Sequence, residues 1–123
     1  MQRSVAIDLS RNPVQFTASG AIEPVVQKGP AHPAVAGRLA GEARMTRSPP
    51  HGGEMHPDGD ELLILVEGLI DVALDEEDGE HITSLSPGDA FVVPRGIWHR
   101  VIVKSPCRLL HFTPGRSQVR RRR

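Results

Sequence analysis

The feature that most constrains this chain is the way glycine and proline divide it into short apolar runs. Twelve glycines and eleven prolines occur in 123 residues, and they separate runs such as 62–66, 90–93 and 101–103. Both residue types interrupt regular structure and favour turns. No long stretch keeps a helical apolar period. The pattern therefore predicts an all-β domain of short strands joined by turns.

Two runs rich in turn residues, 52–61 and 88–99, carry the candidate metal ligands. These are the carboxylates and imidazoles Glu54, His56, Glu61 and His99. The first two share one face of a strand, because residues i and i+2 point the same way. Turn formers at residues 57–60 reverse the chain, so the third ligand returns to the same point. This ligand set suits Mn, Fe, Zn or Ni.

Residues 88–99 resemble the second motif of the cupin superfamily without a gap. The motif is Gly88, five residues, Pro94, one residue, Gly96, two residues and His99. The resemblance is to small cupin-2-like or phosphomannose-isomerase-like members. It implies a single-domain cupin, an antiparallel β-barrel of the jelly-roll type (a double-stranded β-helix), with one divalent metal ion inside.

The first run resembles the first cupin motif, with one departure. His56, four residues, Glu61 and six residues to Gly68 have the family's spacing. The family usually places histidine two residues before His56, where this chain has Glu54. Phosphomannose-isomerase-like cupins tolerate glutamine there and still bind metal, so we expect Glu54 to be the first ligand. The alternative is His51, which an unbroken strand would point the other way, unless the two glycines after it form a bulge.

A charge argument also favours a metal ion. Side by side in a buried site, Glu54 and Glu61 would raise one carboxyl pKa through like-charge repulsion and burial. Two carboxylates and two neutral imidazoles leave a divalent ion with no net charge. We therefore predict one divalent ion, of which Zn, Mn, Fe and Ni are the candidates.

Length and charge narrow the class of protein. A chain of this length is one domain. Fifteen basic and fifteen acidic residues balance, which argues against nucleic acid as a partner. The lone cysteine, Cys107, cannot form an intrachain disulfide and is compatible with the cytoplasm. No apolar run approaches the length of a membrane span.

We divide the chain into three parts. Residues 1–33 form an N-terminal arm that packs on the barrel or on a partner subunit. Residues 34–115 form the cupin barrel, and 116–123 a disordered basic tail. The run 62–66 is apolar on both faces, which with the apolar arm predicts a homodimer. We expect Glu67–Gly68 to form a turn after that run.

Apolar strand residues near the candidate ligands supply walls for a substrate pocket, and two arginines near the end of the strand 34–47 supply candidate contacts for an anion. The candidates are Arg44, Met45, Arg47, Leu63, Leu65, Phe91, Val93 and His111. An ion held by three or four protein ligands keeps open positions for chemistry. We therefore predict a metal-dependent isomerase or epimerase, dioxygenase or lyase, acting on a small oxygenated metabolite such as a sugar derivative or organic acid. The alternative is a non-catalytic module that binds or senses a small molecule.

Overall fold

The computed structural model describes residues 6–25 and 37–120 of the chain. Within these residues the regular structure consists of nine strands, without a helix, which confirms the all-β prediction. The strands are β1 Val14–Phe16, β2 Ile22–Pro24, β3 Arg38–Met45, β4 Gly53–Met55, β5 Glu61–Glu76, β6 Gly79–Leu85, β7 Ala90–Val93, β8 His99–Pro114 and β9 Gln118–Arg120. This part of the chain accordingly holds no helix that could cross a membrane.

Two long strands, β5 and β8, form the frame of the sheet. They pair antiparallel over most of their length, and the register shifts repeatedly between Leu65 and Ile70. Strand β3 pairs with β8, while β6 and β7 pair with successive parts of β5. Such irregularities bend a strand pair and increase its twist. The bent pair lets the sheet curl around one interior.

The predicted turn at Glu67–Gly68 is wrong, because the chain continues there as a bulge inside β5. Gly68 has a φ of +88°, and a Cβ at this position would overlap the carbonyl oxygen of Pro106 and the Cα of Cys107. Glycine is needed both for the left-handed backbone and for the close approach of β8.

The hydrophobic core lies inside the curled sheet. Its buried members come mainly from alternate positions of β5 and β8: Leu63, Leu65, Ile70, Val72, Leu74, Leu85, Val93, Cys107 and Leu109. Burial raises the pKa of the Cys107 thiol, as expected for a structural cysteine rather than a reactive one.

Both ends of the described chain add strands. β1 pairs with β3, and β2 pairs with β1. Residues 116–123 were expected to be disordered, whereas 118–120 form β9 and pair with β4. Residues 1–5 and 26–36, which include parts of the predicted arm and the predicted start of the barrel, lie outside the described residues, as do 121–123.

Candidate metal centre

The four predicted ligands come together where β4, β5 and β8 begin or end. Glu54 in β4 is the cross-strand partner of His99 in β8. One ligand atom each of Glu54, His56 and His99 lies within 4.8 Å of the other two. The Oε1 atom of Glu61 lies 3.3 Å from Nε2 of His56 and 3.2 Å from Nε2 of His99.

The turns of the two motifs are hydrogen-bonded to each other, which fixes the ligands' positions. The backbone N–H of Gly96 donates to the carbonyl of His56 at 3.0 Å. The backbone N–H of Arg95 donates to Oδ1 of Asp60 at 2.8 Å. Gly96 has a φ of +76°, which its turn requires and which favours glycine.

Three of the four side chains are almost completely buried. The exposed fractions of His56, Glu61 and His99 are 1%, 3% and 5%. Burial alone would raise the pKa of Glu61, but the two imidazoles hold it well below its usual range. Burial alone would lower the pKa of His56, but Glu61 and Glu54 raise it above its usual value. Glu61 and His56 therefore each favour the charged form of the other.

These side chains fit a divalent ion. Among the described residues, Nε2 of His56 and Nδ1 of His99 are buried without a hydrogen-bond partner. The Nε2 atom faces Oε1 of Glu61 and lies 3.9 Å from Oε2 of Glu54. An imidazole nitrogen surrounded by carboxylate oxygens suits Zn, Mn, Fe or Ni.

Thr113, which sequence reasoning missed, binds the second oxygen of Glu61. Its hydroxyl donates to Oε2 of Glu61 at 2.6 Å and lies 2.9 Å from Nδ1 of His111. Thr113 is 1% exposed. It shares strand parity with the inward-facing Leu109 and His111, and that alternation is the signal that could have found it.

His51 also lies at the site. Its Nε2 atom is 3.2 Å from Oε1 of Glu54, and its Nδ1 accepts a hydrogen bond from the N–H of Gly53 at 3.1 Å. Gly53 has a φ of +139°. This backbone interrupts the strand geometry between His51 and Glu54. His51, the alternative first ligand, therefore contacts the carboxylate of Glu54, which we expect to be the first ligand.

A cavity of about 700 Å³ is lined by three of the four candidate ligands, Glu54, Glu61 and His99. Of the predicted pocket residues, Met45, Leu63 and His111 line it. Its other apolar lining comes from Ala43, Pro49, Pro50, Val101, Leu109 and Val119. The cavity is therefore a largely apolar space with the polar cluster at one side.

Five predicted pocket residues do not line this cavity: Arg44, Arg47, Leu65, Phe91 and Val93. Leu65 and Val93 belong to the core, and Phe91 packs against it. Arg44 points away from the neighbouring Met45 and pairs with Glu42 at 2.5 Å. Arg47 is exposed beyond the end of β3. Alternation identifies the inward face, but not which inward residues lie level with the cavity.

Comparison with protein families gives a match over more than half of the chain. The family model of the cupin domain matches residues 44–113, which contain all four candidate ligands. No curated protein matches the chain.

Solved structures share the fold at low sequence identity. Peruvianin-I, a cysteine peptidase from Thevetia peruviana latex, is 17% identical with a TM-score of 0.60, over 71% of this chain and 58% of that one. A cupin-2 domain containing protein from Shewanella frigidimarina is 21% identical with a TM-score of 0.53, over 65% and 72%. An oxalate oxidase is 16% identical with a TM-score of 0.56, over 66% and 45%. The chain thus spans only about half the length of two of these relatives, and the likeness shows the fold alone.

Proposed function

Because the chain belongs to the cupin domain family, we propose that it is a metal-dependent enzyme acting on a small oxygenated metabolite. The reaction is an isomerisation or epimerisation, a dioxygenation or a lyase reaction. The observation that carries the proposal is the buried Glu61 with two imidazole nitrogens within 3.3 Å of one oxygen. Glu54, His56, Glu61 and His99 would hold the ion. When bound, such an ion supplies a Lewis acid beside the cavity.

The cavity wall suggests the kind of substrate. Its lining is mainly apolar, and its two arginines already have carboxylate partners. Arg100 pairs with Glu80 at 2.9 Å, and Arg116 pairs with Asp58 at 2.9 Å. A substrate carboxylate would therefore bind the ion rather than these arginines. We therefore favour an organic acid or an aromatic metabolite with an apolar non-reacting part. A sugar derivative is disfavoured, because its hydroxyl groups would lack hydrogen-bond partners in this cavity.

Metal content tests the proposal directly. Untagged protein supplied with Fe, Mn, Ni and Zn is expected to retain about one ion per chain, measured by elemental mass spectrometry. The His99→Ala variant is expected to lose it. His81→Ala is the matched control, because His81 belongs to a second, exposed group of described side chains that could hold an ion, with Glu76 and Asp78. This variant is expected to keep the ion. Wild-type protein that binds none of these metals would contradict the proposal.

The alternative function is a non-catalytic module that binds or senses a small molecule. The apolar cavity favours this alternative, because such a cavity can bind a ligand without an ion. Calorimetry with a panel of aromatic and aliphatic acids, before and after chelation, separates the two. Tight binding that survives metal removal supports the module. Turnover that is lost in folded His56→Ala and His99→Ala variants supports the enzyme.

We also propose that the protein is a homodimer in the cytoplasm. The outward face of β5 carries Leu62, Ile64 and Val66, and Val92 of β7 is the cross-strand partner of Leu62. Val66 and Val92 are 40% and 55% exposed. A second copy covering this apolar face would remove it from water. Light scattering at micromolar concentration tests the dimer, and a monomeric mass would contradict it.

A further inference from the structure

The segment that follows β8 reaches a buried candidate ligand. We call residues 116–120 the C-terminal segment. The hydroxyl oxygen of Ser117 lies 2.9 Å from Nδ1 of His56. His56 itself is 1% exposed. The contact therefore joins the end of the described chain to the first cupin motif, 61 residues earlier.

We propose that Ser117 is a positioning residue for His56, holding the proton on Nδ1 so that Nε2 presents its lone pair to the ion. The inference rests on the proposed metal site. A neutral imidazole that binds a metal through one nitrogen carries its proton on the other, and this proton needs an acceptor. Nε2 is the nitrogen that faces Glu61 and Glu54. Nδ1 is therefore the donor, and the Ser117 oxygen accepts.

Contacts before Ser117 hold it in place. The backbone N–H of Arg116 donates to Oδ2 of Asp58 at 2.8 Å, and its guanidinium donates to Oδ1 at 2.9 Å. Asp58 lies in the turn between His56 and Glu61. The side chain that anchors the C-terminal segment thus belongs to the same turn that sets the spacing of two ligands.

Contacts after Ser117 are equally specific. Strand β9 pairs with β4, and Val119 is the cross-strand partner of Glu54. The Arg120 guanidinium donates to the Asp75 carboxylate and lies 4.8 Å from the centre of the Trp98 ring. Trp98 directly precedes the ligand His99. The C-terminal segment is therefore fixed on both sides of Ser117 to elements that carry ligands.

The two histidines of the site differ in this respect. In the part of the chain that the structure describes, Nδ1 of His99 is buried without a hydrogen-bond partner. The Nδ1 atom of His56 has the Ser117 hydroxyl. Of the two histidines, His56 is therefore the one whose ring is oriented by a hydrogen bond at Nδ1. Loss of this hydrogen bond should weaken metal binding by His56 without removing that ligand.

A pair of substitutions isolates the hydroxyl. Ser117→Thr and Ser117→Val have side chains of nearly the same shape, and only the first keeps the oxygen. The zinc dissociation constant of each is measured by competition with a chromophoric chelator. Ser117→Thr should bind as wild type, and Ser117→Val should bind about 10- to 100-fold more weakly, the usual effect of losing such a partner. Ser84→Val is the control, because Ser84 lies on the exposed β6 and its hydroxyl donates to Asp71 of β5, away from the site.

The outcomes separate this inference from the proposed function. If the wild type binds none of Zn, Mn, Fe and Ni, the proposed function fails. If it retains one of the other three ions instead of zinc, the same comparison of variants is made with that ion. If the wild type binds zinc and both Ser117 variants bind it equally well, the positioning role is overturned. If Ser117→Thr and Ser117→Val lose affinity equally, the role is also overturned, because shape rather than the hydroxyl then matters.

Circular dichroism shows that each variant is folded, and the His56 Nδ1–H resonance in the zinc-loaded protein supplies a second readout. That proton should exchange with water faster in Ser117→Val than in Ser117→Thr, and equal rates would contradict the proposal.

Discussion

The hydroxyl of Thr113 donates a hydrogen bond of 2.6 Å to Oε2 of Glu61, across 52 residues of sequence. A threonine hydroxyl has one proton, so the contact of 2.9 Å with His111 must be donated by Nδ1 of that imidazole. The chain of hydrogen bonds fixes Oε2 of Glu61 on the side of β8 and leaves Oε1 toward His56 and His99.

Thr113→Val is expected to destabilise the metal-free protein by about 1.5–3 kcal/mol, because a buried carboxylate oxygen loses its donor. Valine keeps the shape of threonine and suits a strand. The free energy of unfolding in urea measures the effect. Thr83→Val, at an exposed position of β6, should change it by less than about 0.5 kcal/mol. Equal effects at the two positions would contradict a role for the hydroxyl.

Glu54→Ala is expected to weaken metal binding, and His51→Ala to affect it less. One ligand atom each of Glu54, His56 and His99 lies within 4.8 Å of the other two, whereas His51 contacts the carboxylate of Glu54. Calorimetric titration with zinc measures both variants. If Glu54→Ala binds as wild type and His51→Ala does not, the first ligand is His51.

The metal-free protein should be most stable at mildly acidic pH. Despite burial, the pKa of Glu61 is held well below its ordinary value of 4.5, so its contribution to stability is present above that pH and is lost as the pH falls through the folded-state pKa. The pKa of His56 is raised above 6.5, so its contribution is complete below that pH and is lost as the pH rises through the folded-state pKa. Urea unfolding with a chelator present should therefore give higher stability at pH 5.5 than at pH 8.

Zinc should oppose this dependence of stability on pH. Protons compete with the ion for the imidazole nitrogens, so zinc affinity falls as the pH decreases. Protein with excess zinc should gain more stability over the chelated protein at pH 8 than at pH 5.5, following the free energy of ligand binding. A zinc-induced shift in melting temperature that is the same at both pH values would argue against histidine ligands.

Gly68→Ala should destabilise the protein about 1–3 kcal/mol more than Gly88→Ala, the range usual for overpacking. Both glycines have a left-handed backbone, with φ of +88° and +94°. Only at Gly68 would the added Cβ meet another strand, at Pro106 and Cys107, while the space around Gly88 is open. Chemical denaturation of the two variants compares them, and equal losses would show that backbone strain alone decides.

The fold, and the meeting of the four candidate side chains, could be predicted because their signals are local. Glu54 and His56 are two residues apart, a spacing that predicts a common face, and the turn residues after them predict that the chain returns. The spacing of Gly88 to His99 identifies a motif. The family match confirms the cupin prediction. The pocket was predicted less well, since Leu65, Phe91 and Val93 point inward but lie in or against the core. Alternation gives the face of a strand and carries no information on depth along the barrel.

The sequence by itself determined that this protein is a cupin with carboxylates and imidazoles at motif positions, because turn chemistry and strand parity act over a few residues. Only the tertiary structure decided which other side chains support those ligands. Thr113 and Ser117 reach Glu61 and His56 from 52 and 61 residues away. Such contacts depend on the register of β8 beside β5 and of β9 beside β4. Register is set by packing and bulges throughout the barrel, so no short stretch of sequence encodes it.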